Sequence, residues 1–203
     1  MFVKSPYFLS RLTKKSISWK IYTSSKEIYL TFDDGPHPEI TPWVLNLLDS
    51  KKIKATFFCV GDNVRKFPDT YNEIISRGYS TGNHTYNHIS GWKTSNKDYY
   101  ANIYKCKELV DSDLFRPPYG KIKPSQVYFL KNRNFRIILW TIISYDFENK
   151  ISPEKCLDNV ICNLKPGSII VFHDSEKAKK NLYGALPEFI DYALNHGYEF
   201  KVL

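Results

Sequence analysis

No stretch of this 203-residue chain is apolar for the roughly 20 consecutive residues that a membrane-spanning helix needs. The first twenty residues also lack a continuous apolar region of signal-peptide length, because Lys4, Arg11, Lys14 and Lys15 interrupt them. A cytoplasmic location is the default expectation, with cell-envelope association left open. Paired cysteine motifs are missing too. Cys59, Cys106, Cys156 and Cys162 form no Cys-x-x-Cys spacing, which removes the usual thiolate zinc site and leaves no disulfide framework. Cys59 lies in the apolar run 55–60 and reads as a small buried hydrophobe. Repeats and Gly/Ser- or Pro-rich linkers are absent, so a single domain over residues 1–203, with a short N-terminal extension over 1–26, is expected. No recognised nucleic-acid motif occurs and the lysines are scattered. The net charge of +8 therefore reads as a solvated basic surface, not a nucleic-acid interface. Nothing specifies an oligomer, and a monomer is the default.

What is present is a chain with 42% hydrophobic and 16% aromatic residues, enough for a real core. Short apolar runs alternate with helical patterns. Strands are expected at 27–32, 55–60, 79–82, 114–116, 136–143, 168–172 and 198–202. Helices are expected to open at Thr41-Pro42, with Thr41 as N-cap, then at 69–77, at Ser95 with Asp98 as a capping pair, at 125–132, at Ser152-Pro153 and at 187–196. This rhythm implies a parallel sheet covered by helices, best fitted by a small, distorted (β/α) barrel of about seven parallel strands, with an open doubly wound sheet as the alternative.

The polar residues gather at strand ends, where β/α folds place their active sites. Asp33 and Asp34 follow the first strand, and His84 and His88 follow the third. Arg116 ends the fourth, Asp146 follows the fifth, and His173 ends the sixth. Two neighbouring carboxylates before Gly35-Pro36 suit a turn as readily as a site. His84 and His88, spaced i, i+4, would reach one point from a single helical turn and bind one metal. Two histidines with one aspartate make a catalytic zinc site with open positions, and equally the facial triad of a non-heme iron oxygenase. Arg116 could hold a carboxylate in a bidentate pair or lie on the surface. His173 suits a general acid, or a buried core histidine. His37 and His196 read as structural or surface residues.

Four segments then carry a family likeness. Thr31-Phe32-Asp33-Asp34-Gly35-Pro36, His84-Thr85-Tyr86-Asn87-His88, Arg116-Pro117-Pro118-Tyr119 and the apolar strand into His173 resemble the successive motifs of the polysaccharide deacetylases, also known as the NodB-homology domain. The resemblance implies a distorted β/α barrel and a metal-dependent carbohydrate N-deacetylase. Its substrate would be an N-acetylglucosamine-containing glycan of peptidoglycan or chitin type, with de-O-acetylation as an alternative. Asp34, His84 and His88 would bind one divalent metal, most often zinc. Asp33 would be the general base, oriented by Arg116, and His173 the general acid. The Tyr119 backbone N–H would help hold the oxyanion. Trp140, Val171, Phe172, Pro118 and Asp146 are expected around the acetyl group. In the segment 140–147, Ile143 and Phe147 stand where the family often has Asp and Trp. Asp146 could then supply the missing carboxylate to His173; failing that, an inactive or catalytically weak glycan-binding module becomes the alternative.

Overall fold

The computed structural model describes residue 3, residue 13 and residues 16–203. Lys4, Arg11, Lys14 and Lys15 lie outside the described residues. The strands are β1 (Glu27–Asp33), β2 (Thr56–Cys59), β3 (Ser80–Asn83), β4 (Leu114–Phe115), β5 (Arg136–Ile137), β6 (Ile142–Ile143), β7 (Ile169–His173) and β8 (Glu199–Phe200). They form one parallel sheet in the order β5-β4-β3-β2-β1-β7-β6, and β8 pairs with the start of β1. The helices are α1 (Ile40–Ser50), α2 (Gly61–Lys66), α3 (Pro68–Ser76), α4 (Asn96–Lys107), α5 (Pro124–Lys131), α6 (Pro153–Ile161) and α7 (Lys179–Asn195).

β1 is central and buried along nearly its whole length. Side chains alternate across a strand, so the two faces of β1 serve different layers. Ile28, Leu30 and Phe32 enter the large core with Val44, Leu45 and Leu48 of α1 and Phe189 of α7. Tyr29, Thr31 and Asp33 face the other way, where Tyr29 packs with Phe58, Leu114 and Ile169. The inner face thus carries an apolar floor that gives way to polar groups at the carboxyl end.

The sequence predicts one strand over 136–143, but it is split. β5 pairs with β4 on one edge of the sheet and β6 pairs with β7 on the other. This segment therefore crosses between the edges and curls the sheet into a half-barrel. The backbone between β5 and β6 has other partners. The Ile138 and Leu139 carbonyls accept from Arg116, and the Leu139 N–H donates to the Ser18 carbonyl at 2.8 Å. The Ile21 N–H donates to the Gly167 carbonyl at 2.9 Å, so residues 18–21 close the gap near the start of β7.

Two helix starts differ from expectation. Thr41 does not cap α1; Glu39 precedes the helix, and the His37 Nδ1 accepts the N–H groups of Glu39 and Ile40. The Thr41 hydroxyl is drawn inward to Asp174 instead. α7 begins at Lys179 and contains Pro187, where a start at Pro187 is predicted. An interior proline costs about 3 kcal/mol. Leu182, Ala185 and Leu186, all fully buried upstream of it, supply the compensating burial. Gly184 lets α7 approach α6 closely: a Cβ there would lie 2.6 Å from Cβ of Pro153.

Candidate active site

The carboxyl ends of the strands form one polar rim on the inner face. Asp33 closes β1 and is buried. Its Oδ1 accepts from Arg116 Nη1 at 2.6 Å, and the same nitrogen donates to Thr31 Oγ1 at 2.7 Å. The bidentate pair considered above does not form. The Arg116 Nε and Nη2 donate instead to the carbonyls of Ile138 and Leu139, at 3.4 and 3.3 Å. The guanidinium also lies 4.0 Å from the centre of the Phe58 ring. A fully buried cation thus has one carboxylate and three neutral acceptors. Burial pushes its pKa down, and Asp33 opposes that shift.

The residue after Asp33 turns sharply. Asp34 has φ +79°, in the left-handed region that ordinary side chains disfavour. Its neighbours hold this turn. The Asn63 Nδ2 donates to the Asp34 carbonyl at 2.8 Å, and the Gly35 N–H donates to Asp174 Oδ1 at 3.1 Å. The Thr41 hydroxyl donates to Asp174 Oδ2 at 2.5 Å. A Cβ on Gly35 would lie 2.1 Å from that carboxylate oxygen, so only glycine fits. Burial pushes the Asp174 carboxyl up to about 8.

Asp34, His84 and His88 converge. One donor atom from each lies within 4.8 Å of the others, the one such group among the described residues. The His84 and His88 Nε2 atoms are 3.6 and 3.1 Å from Asp34 Oδ1. The expected helical turn is not how they meet. Residues 84–90 form a loop with Thr85 at φ +62° and His88 at φ +53°. Side-chain acceptors stabilise that loop: Asn83 Oδ1 takes the Thr85 N–H, and Asn102 Oδ1 takes the N–H groups of Tyr86 and Asn87.

These atoms fit a cation. His84 Nδ1 lies 2.8 Å from the Arg116 carbonyl, which can only accept, so that nitrogen carries the proton and Nε2 presents a lone pair. Burial drives the His84 pKa down to about 4, which keeps the ring neutral. Burial alone would raise the Asp34 pKa, but the hydrogen bond from His88 and the charge of His173 hold it well below the carboxylate range. A lone pair and a carboxylate pointed at one another repel unless a positive charge lies between them.

His173 ends β7. Its Nδ1 lies 2.7 Å from Asp146 Oδ1, and its backbone N–H donates to Asp146 Oδ2 at 2.7 Å. The carboxylate that Ile143 cannot supply therefore comes from Asp146. Asn181 Nδ2 donates to the Asp146 carbonyl at 3.0 Å and fixes the loop. Phe147 stands edge-on to the His173 ring, centroids 4.9 Å apart. Burial would lower the His173 pKa, but Asp146, with smaller contributions from Asp34 and Asp33, raises it to about 9.

The remaining expected site residues divide. Pro118 is buried in the short 3₁₀ turn Pro118–Gly120, which holds Tyr119 at φ +61°. The Tyr119 ring stands 4.7 Å from that of His88. Trp140 lies against this turn, since a Cβ on Gly120 would be 2.9 Å from its Cη2. Val171 is fully buried and, by alternation, shares the inner face with His173. Phe172 does not line the site. It points into the opposite layer, with its ring 5.9 Å from Phe189, because adjacent strand residues face opposite ways. Asn63 and Thr41 carry no motif signal, Thr31 stands in the first motif without a role of its own there, and Asp174, though beside His173, gives no hint of its hold on Gly35. Only the fold brings them here. An open cleft of about 350 Å³ adjoins Asp34 and His88, with Asp62, Asn63, Asn87 and Ser175 among its walls.

The sequence pattern of the family described as polysaccharide deacetylase matches residues 20–138. A peptidoglycan-N-acetylglucosamine deacetylase of Bacillus cereus is 37% identical over 155 residues, covering 73% of this chain and 56% of that protein. The chain thus spans little more than half the length of that relative. Another Bacillus cereus protein of the same name is 31% identical over 191 residues, 91% of this chain and 89% of its own length. The crystal structure of the Bc1960 peptidoglycan N-acetylglucosamine deacetylase, in complex with 4-naphthalen-1-yl-N-oxidanyl-benzamide, superposes with a TM-score of 0.90 at 31% identity. That match covers 98% of this chain and 95% of the other.

Proposed function

Since the chain belongs to the polysaccharide deacetylase family, we propose that it hydrolyses the N-acetyl group of N-acetylglucosamine residues in a glycan, releasing acetate. Peptidoglycan is the first candidate substrate, by likeness to the Bacillus cereus proteins, and a chitin-type oligosaccharide the second. The observation that carries this reading is the convergence of Asp34, His84 and His88 between two buried pairs, Asp33–Arg116 and His173–Asp146. Residues 27–203 would act as one catalytic unit. No helix among the described residues is long and apolar enough to cross a membrane.

Asp34, His84 and His88 would hold one divalent metal, and the two-imidazole, one-carboxylate set suits zinc. When bound, the metal supplies Lewis acidity toward a water and the amide carbonyl oxygen. The protein's own groups do the rest. Asp33 takes the proton from the attacking water, and Arg116 keeps that carboxylate aimed. The Tyr119 backbone N–H donates to the developing oxyanion. His173, protonated with its Nδ1–H held by Asp146, gives the Nε2 proton to the departing amine. Pro118, Trp140 and Val171 wall the space for the acetyl methyl.

The Asp146–His173 contact supplies His173 with the carboxylate that Ile143 lacks, which supports an active enzyme over an inactive glycan-binding module. The test is acetate release by the zinc-loaded protein from a panel of acetylated glycans, with peptidoglycan, chitooligosaccharides and an O-acetylated xylan side by side. Release from the N-acetylated members supports the reading. Release from the O-acetylated member alone, or from none, overturns it.

A further inference from the structure

Next to the site lies a surface whose side chains have no part in that chemistry. Trp92, in the loop after His88, is 61% exposed, and Tyr119 is 60% exposed. Single exposed aromatics are ordinary on a protein surface. These two are connected and held. Lys121 Nζ lies 5.8 Å from the Trp92 ring and 5.8 Å from the Tyr119 ring. The Tyr119 ring in turn stands edge-on to His88 at 4.7 Å. A ledge therefore leads from a half-buried metal-site histidine through exposed Tyr119 and half-buried Lys121 to exposed Trp92.

The ledge is built rigidly. The Trp92 indole N–H donates to the Ile122 carbonyl at 3.0 Å. The Gly91 N–H donates to the Lys121 carbonyl at 3.0 Å, and the Gln126 Nε2 donates to the Gly91 carbonyl at 3.0 Å. A Cβ at Gly91 would lie 2.5 Å from Gln126 Oε1, so the loop is packed closely against α5. The indole spends its single polar group inside the protein and offers solvent only its apolar face. Beside that face stands an ammonium with three donors. A pyranose has the matching shape, with C–H groups across its face and oxygens around its edge.

We propose that Trp92, Lys121 and Tyr119 form a glycan subsite, in which the Trp92 face stacks on a pyranose flanking the sugar under attack and Lys121 donates to that ring's oxygens. The assignment rests on the glycan reading above and extends it from one sugar to a chain. It makes turnover depend on chain length through a residue that touches neither metal site nor acetyl group.

The experiment compares the zinc-loaded protein with Trp92→Ala and Trp92→Phe on N-acetylchitooligosaccharides from dimer to hexamer. The ratio of kcat/KM for hexamer over dimer should fall about tenfold in Trp92→Ala, carried by KM, and recover in part in Trp92→Phe. Lys121→Ala should lower the same ratio less. An unchanged ratio, or an equal loss at every length, overturns the proposal. A second arm uses zinc-loaded Asp33→Asn protein and follows indole fluorescence as chitohexaose is added. The change should saturate and should shrink several-fold when Trp92→Phe is added, leaving only the part that Trp140 at the acetyl pocket reports; a signal of unchanged size after that substitution, or none at all, overturns the subsite. If no glycan yields acetate with the unmodified protein, the deacetylase reading fails by itself, and this binding arm still decides the ledge.

Discussion

Two buried ion pairs stand on the same rim, and their differences divide the labour of the site. In the first, the Arg116 guanidinium binds Asp33 through one nitrogen and spends its remaining donors on Thr31, Ile138 and Leu139. Arginine keeps its proton at any pH a protein meets, so this pair fixes geometry and charge without titrating. In the second, His173 meets Asp146 through its ring and its backbone N–H. Histidine can give its proton away, so this pair is a proton store whose strength Asp146 sets. In the proposed mechanism one pair aims a base and the other loads an acid.

Breaking the first pair should have the largest effect. Arg116→Met leaves Asp33 buried without its cation and two carbonyls without donors. The loss should be about 3–5 kcal/mol in urea denaturation, as for other buried pairs cut on one side. Turnover should disappear with it. Arg116→Lys should not rescue either property, because an ammonium cannot reach all four acceptors in that plane.

The next effect is on turnover. Asp33→Asn should keep metal and fold, since Arg116 retains its three neutral acceptors, yet lose acetate release by roughly a hundredfold or more. His173→Ala should be selective. Amides should suffer more than activated esters, because an amine leaves poorly without a proton and an activated alkoxide does not need one. Equal losses on both substrate types would remove His173 from the acid role.

The smallest effect sharpens the comparison most. Asp146 raises the His173 pKa to about 9, so Asp146→Asn should move the alkaline limb of the pH–rate profile to lower pH and leave the metal in place. The stability effect has a defined sign. A histidine raised by folding contributes stability that is complete below its ordinary value near 6.5 and fades as pH rises through about 9. The denaturation difference between the unmodified protein and Asp146→Asn should therefore be larger at mildly acid pH than above that value. An alkaline limb that overlays that of the unmodified protein would reduce Asp146 to a loop cap.

Much of this was legible in the sequence, for a physical reason. Strand ends in a parallel sheet all face one rim, so Asp33, His84, Arg116, Asp146 and His173 could be placed together from the β/α rhythm alone. Asp146 was also foreseeable as a partner for His173 once Ile143 had displaced the usual carboxylate. What the sequence concealed depends on packing. The helix before Pro187 follows from burial of Leu182, Ala185 and Leu186 rather than from propensity. The break in 136–143 follows from Arg116 taking the Ile138 and Leu139 carbonyls. His84 and His88 share a spacing that suggests a helical turn, but Asn83 and Asn102 hold the chain in a loop instead. Phe172, expected beside the acetyl group from its place next to His173, faces the opposite layer because adjacent strand residues alternate.

The central claim is that Asp34, His84 and His88 hold a metal on which acetate release depends. Zinc titrated into fully chelated protein, with bound metal and acetate release from N-acetylated peptidoglycan measured in the same samples, tests it most directly. Activity should climb in proportion to zinc and level off at about one ion per chain, and His84→Ala should lose both signals together. Undiminished release from the chelated protein, or stoichiometric zinc binding by His84→Ala, would contradict it.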